Sequence, residues 1–175
     1  SLASGVAFRC KAGAQPPTTL TEAIALTTDT EAKNLGELSA DGIKLAIGTS
    51  RTSIKNMGGE DVYTITTEHA AKVEVTPLEL LNPSAIAEWA GTDKVSSDGN
   101  TVTIAQHDVE RAMYVFLCAL EGNRMAALAC FDAGMTKDSI EMAFNSSDAV
   151  KPTLEYTMYP DAEGVKGKIF FGTRA

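Results

Sequence analysis

Of the residue types that most often carry chemistry, the chain holds few: three cysteines, two histidines and one tryptophan among 175 residues. An odd number of widely separated cysteines (Cys10, Cys118, Cys130) argues against a disulfide framework. Cys118 and Cys130 lie in apolar stretches and read as small core hydrophobes, which suits synthesis in a reducing cytoplasm. Positive charge is also scarce: 15 Lys and Arg against 23 Asp and Glu leave a net charge of -8. Gripping nucleic acid through its phosphates needs clustered cations, so that function class is excluded. No apolar run approaches the roughly 20 residues of a membrane-spanning helix. The opening SLASGVAFRC lacks a basic region followed by a long apolar core, so no signal peptide is expected.

The catalytic and metal-binding patterns are missing as well. There is no C-x-x-C, H-E-x-x-H or D-x-D-x-D-G run, no phosphate-binding G-x-x-x-x-G-K-[ST] and no G-x-G-x-x-G. His107 precedes Asp108, but GTSRT misses the G-x-S-x-G elbow, so both histidines read as surface residues. Asp161 and Glu163 share a turn, where solvated carboxylates are ordinary. NSS at Asn145 matches a glycosylation sequon only formally. The expectation is a chain with no catalytic residue, no metal site and no cofactor.

What is present is β-patterning. Hydrophobic content of 44% over 175 residues suits one domain, residues 1–175, with a real core. Residues 11–33 form a polar, Thr-rich N-terminal arm containing two adjacent prolines. SADG (Ser39, Gly42) marks a turn into IKLAI, which alternates apolar and polar positions like a half-buried strand. Residues 48–61 (GTSRTSIKNMGGED) read as a long loop or protruding hairpin tip. In the segment that follows, Tyr63, Ile65 and Thr67 share one face, and Val73 and Val75 another, giving two strands or one bent one. NPSAIAEWAG carries helix signals: Asn82 as N-cap, Pro83 in the first turn, Trp89 as apolar anchor and Gly91 as stop. TVTIA (residues 101–105) reads as a strand after the SSDGN turn.

Residues 112–131 are nearly all apolar around Glu121-Gly122-Asn123, and periodicity leaves helix and strand open; the turn and the Tyr114–Phe116 cluster favour a hairpin buried on both faces. SIEMAFN puts Ile140, Met142 and Phe144 on one face and Glu141 on the other. TLEYTMY does the same with Leu154, Tyr156 and Met158 against Thr153, Glu155 and Thr157. Pro160, Asp161 and Gly164 form a turn to a last strand, so residues 154–171 read as a terminal hairpin. About seven to nine strands and one helix predict a mainly β fold: a β-sandwich or partly closed barrel with one short flanking helix and a long protruding loop.

The order of these motifs resembles that of the tail tube (major tail) proteins of long-tailed bacteriophages. NLGELSADGIKLAI, the polar loop closing on NMGGED, LELLNPSAIAEWAG and YPDAEGVKGKIFF follow one another as in that family, across most of the chain. Met57 stands where the family often has tryptophan. The resemblance implies a structural virion protein and no enzyme: six subunits form a ring, and rings stack into the hollow tube that conducts phage DNA into the host. It implies assembly in the bacterial cytoplasm, residence in the phage tail, and as partners further copies of the chain, tail tip or baseplate, tape measure and tail terminator proteins. Double-stranded DNA would pass through the lumen without specific binding, and six copies at -8 each would repel it. The inter-ring contact is expected from Arg51, Ser53, Ile54, Lys55, Asn56, Met57, Gly58 and Gly59, and from the arm. Glu141, Thr153, Glu155 and Thr157 are the lumen-facing candidates. Alternative readings are the tube of a related phage-like injection or gene-transfer particle, a carbohydrate-binding β-sandwich acting as an adhesin, and a hydrolase without a familiar motif.

Overall fold

The structure is a computed structural model and describes residues 5–79, 81–147 and 151–174; Leu80 of the helix-entry motif lies outside them. Among the described residues there are eight strands and two helices, in the order β1 (Gly5–Arg9), α1 (Leu20–Thr27), β2 (Lys33–Glu37), β3 (Lys44–Lys55), β4 (Asp61–Val75), α2 (Pro83–Ala90), β5 (Ala112–Ala119), β6 (Arg124–Met135), β7 (Leu154–Met158) and β8 (Gly167–Thr173). The fold is mainly β. All strands belong to one open antiparallel sheet with the order β2-β1-β5-β6-β7-β4-β3, and β8 adds to β6.

The apolar run that left helix and strand open is the β5–β6 hairpin, and its composition follows from its position as a wall between two cores. Alternate residues of β5 serve each side. Tyr114 and Phe116 join Val73, Val75, Leu154 and Tyr156 in the first core, while Met113, Val115 and Leu117 join Ala127 and Ala129 in the second. A strand buried on both faces has no solvent side on which polar residues could alternate. The aromatic rings of Tyr114 on β5 and Tyr156 on β7 lie 4.7 Å apart across the intervening β6, so the sheet is strongly curved there. Near its other edge, Leu38 forms an isolated bridge with Pro77, just past β4.

The expected single helix is two. The additional one, α1, lies within the stretch read as a polar arm. Thr19 caps it by accepting from the Glu22 amide at 3.2 Å, and the Glu22 carboxylate reaches back to the Thr18 amide at 2.6 Å. Its apolar residues Leu20, Ala23, Ile24 and Leu26 close the second core. The helix α2 matches its expectation. Asn82 caps it through Ser84 N–H at 3.0 Å, Pro83 opens it, Trp89 packs on the first core and Gly91 leaves it with φ 105°.

Three strand expectations need correction. Residues 101–105 form no strand; only Val102 bridges to Val95. Residues 140–145 are irregular, although Ile140 does pack against the first core. The terminal hairpin is not one, because β7 and β8 never pair with each other. Both run antiparallel to β6 along one edge, β7 opposite residues 133–135 and β8 opposite residues 124–130. The turn between them is an excursion from a single line of strand, entered at Tyr159 N–H to Asp132 O and left at Phe131 N–H to Lys166 O. Asp161 organises it by accepting from the amides of Glu163 and Val165, both at 2.9 Å, and Gly164 takes φ 83°.

At the exit of this excursion there is no room for a side chain. A Cβ on Gly167 would sit against the backbone carbonyl of Ala129, which the β6–β8 ladder holds in place. Gly167→Ala should therefore lower stability by about 1–3 kcal/mol and selectively raise hydrogen exchange in β8.

Among the described residues, one acidic side chain is buried. Glu88 on α2 is 6% exposed and accepts a 2.7 Å hydrogen bond from the Tyr114 hydroxyl, with Arg9 Nη1 at 3.6 Å. Burial pushes its carboxyl up to about 7, against the lowering effects of Tyr114 and Arg9. The buried Tyr156 hydroxyl also faces this carboxylate and lowers its pKa slightly, although neither it nor Glu88 Oε1 makes a well-formed hydrogen bond among the described residues.

Candidate assembly surface

The long polar stretch read as a loop over residues 48–61 is the outer half of a two-stranded ribbon. β3 and β4 stay in antiparallel register from Lys44↔Glu74 to Lys55↔Asp61, with irregularities at Ser50/Arg51 and Ile54/Lys55. β7 pairs with β4 only at residues 72–75. Beyond Gly48↔Ala70 the ribbon therefore runs roughly 25 Å on its own. The loop proper is residues 56–60. Asn56 Oδ1 accepts from the amides of Gly58 (2.9 Å) and Glu60 (3.0 Å), and Gly59 takes φ 85°. This explains the paired glycines and the asparagine before them: the side chain replaces missing backbone partners, and the left-handed residue reverses the chain. Met57 at the apex is fully exposed.

Residues directly opposite in an antiparallel ladder share a face. The register puts Arg51 and Ser53 beside Thr66 and Thr64 on one face. Ile54 and Thr52 lie beside Tyr63 and Ile65 on the other. The ribbon is thus amphipathic, yet its apolar face is uncovered: Ile54, Tyr63 and Ile65 are 45%, 62% and 42% exposed. An isolated two-stranded ribbon is marginally stable in water, and the exposed Lys55–Asp61 ion pair at 2.8 Å adds little. All eight inter-ring candidates lie on this projection, divided between its polar face, its apolar face and its turn. The exposed Tyr63 and Ile65 were not among them; their alternation is visible in the sequence, but their solvent exposure depends on how far β4 outruns β7.

Three of the four lumen candidates come together. Thr153, just before β7, and Glu155 and Thr157 within it alternate with the buried Leu154, Tyr156 and Met158, so they share the outward face. That face is not simply acidic. Glu155 lies opposite Glu74 but is 3.5 Å from Lys72 Nζ, and Thr153 meets Thr76 through their hydroxyls at 3.1 Å. Glu141 stands apart, exposed on the irregular segment before β7.

The histidines occupy separate places. His107 sets its ring nitrogens near two backbone carbonyls, Asp108 O at 3.1 Å and Trp89 O at 3.2 Å, and His69 Nδ1 is 3.3 Å from Lys166 Nζ. Burial raises the thiol of Cys10 to about 11, helped by Asp29, and that of Cys130 to about 12, so both stay protonated and inert. No group of three or more His, Cys, Asp and Glu side chains is placed to hold a metal ion among the described residues. No described helix is long and apolar enough to cross a membrane. Comparison with protein-family models and with curated proteins finds no match for the chain.

Proposed function

We propose that the chain is a structural tail tube protein: it forms hexameric rings that stack into a hollow tube for phage DNA, and it catalyses nothing. The observation that carries this reading is the β3–β4 ribbon. A ribbon with one apolar and one polar face, projecting from the sheet without cover, costs a lone subunit solubility and local stability. A subunit that packs it against a neighbour recovers both. The ordered motifs that resemble the tail tube family point the same way, since NMGGED forms the ribbon's turn and LELLNPSAIAEWAG contains α2. In this reading the curved sheet is the partly closed barrel of the subunit. The outward face bearing Thr153, Glu155 and Thr157 lines the lumen, and the ribbon reaches the next ring.

The apolar face of the ribbon provides the test. Ile54→Ser, Tyr63→Ser and Ile65→Ser combined remove exposed apolar surface only, so the Tm of the monomer should stay within a few degrees of wild type. Ring stacking, followed by sedimentation velocity, should be lost. Normal stacking by the triple variant would refute the role given to the ribbon.

A further inference from the structure

A second unpaired feature lies away from the ribbon. Strand β8 pairs with β6 alone, so its other edge is open among the described residues. Its outward side chains Ile169 and Phe171 are 45% and 61% exposed, and Lys168 points to the other face. Beside this edge runs an open cleft of about 430 Å³, where β8 and the root of the ribbon diverge, lined by Leu45, Ile47, Met158, Val165 and Ile169. An open strand edge beside apolar surface recruits another strand.

The same chain carries a segment with a strand's sequence and no strand's partner. Residues 140–144 alternate Ile140, Met142 and Phe144 with Glu141 and Ala143. None of their amides donates to a backbone carbonyl among the described residues, and Phe144 is 78% exposed. Ile140 packs on the first core, so the segment is held against the sheet with its backbone unspent.

We propose that residues 140–144 of one copy add as a strand to the open edge of β8 on a second copy. The inference rests on the tube reading and gives it a lateral contact distinct from the ribbon. The two sequences match in period. With Glu141 on the face of Lys168, the two-residue repeat puts Ile140, Met142 and Phe144 on the face of Ile169 and Phe171. An opposite-charge pair then lies on one side and an apolar cluster on the other. A shift of one residue would break both, and a shift of two would part Glu141 from Lys168, so the charge pair selects the register. Because donor segment and acceptor edge are different surfaces, the contact is head-to-tail, the kind that closes into a ring or extends into a filament.

A charge-reversal cycle tests this. Glu141 and Lys168 are exposed and make no ion pair within the subunit among the described residues, so Glu141→Lys and Lys168→Glu should leave the monomer's Tm unchanged. Each alone should raise the concentration needed for assembly about two- to five-fold, and the double variant should return it to the wild-type value. Assembly of the wild type is the control for the tube reading. If the wild type assembles and the single variants match it, or the double variant is no better than the worse single, the strand pairing is overturned and the tube reading stands. A wild type that stays monomeric under all conditions overturns both.

Discussion

Excising residues 51–67 and joining Ser50 to Glu68 through an Asn-Gly turn will leave a folded monomer that forms no tubes. The cut follows the register. Ser50 lies opposite Glu68, so the two can close a two-residue hairpin loop, and Asn-Gly favours the turn with the required twist. Cutting residues 50–58 instead would strip β4 of its partner and confuse loss of fold with loss of assembly. The removed part has both faces in solvent and no contact with either core, so its loss costs the monomer little: its Tm should fall by no more than a few degrees. Assembly should be abolished because the uncovered Ile54, Tyr63 and Ile65 leave together with the whole turn. Tubes of normal length from this variant would show that the ribbon is a solvated decoration.

The second large effect is a stability that falls as pH rises from 5 to 8. Glu88 is the cause. Its carboxyl titrates near 4.5 when exposed and is raised to about 7 in the fold, chiefly because burial penalises its charge. A raised carboxyl pKa means that the folded state holds its proton more tightly than the unfolded chain does. The associated stability is complete below the unfolded value and is lost as pH climbs through the folded value. The shift sets an upper limit of about 3 kcal/mol. The carboxylates of Glu22, Asp29, Asp93 and Asp98, held below the usual range mainly by hydrogen bonds, act in the opposite sense but at lower pH, so the two windows separate. Glu88→Gln keeps a group that can accept from Tyr114 and abolishes the titration. Urea denaturation should show the wild type losing stability between pH 5 and 8, and the Gln variant flat across that range and more stable at pH 8. Parallel pH profiles for the two proteins would mean that Glu88 does not carry the dependence.

The sequence showed the strands where one face is wet and the other dry. Leu154, Tyr156 and Met158 alternate with Thr153, Glu155 and Thr157, and the structure separates them into core and outward face. The helix α2 was equally legible, since Asn82, Pro83, Trp89 and Gly91 each carry a local signal. What failed was whatever depended on distant partners. Residues 101–105 and 140–145 have the alternation of strands, but a strand also needs a neighbour: the first segment meets only residues 94–96, in a single bridge, and the second pairs with no strand among the described residues. Residues 154–171 have two strands and a turn, but β6 offers both strands its own edge and outcompetes their mutual pairing. The helix α1 was hidden by a Thr-rich entry, although Thr19-Leu-Thr-Glu22 before an apolar run has the spacing of a capping box. The candidate site was visible as a polar, glycine-closed stretch. Its form as an amphipathic ribbon became clear only from the register, which aligns Ile54 with Tyr63 and Thr52 with Ile65.

Negative-stain electron microscopy of the concentrated, purified protein, alone and seeded with a tail-tip complex, tests most directly whether the chain builds a tube. The account predicts hollow rings of six subunits stacked into tubes of uniform diameter. Dispersed monomers in both preparations would contradict it.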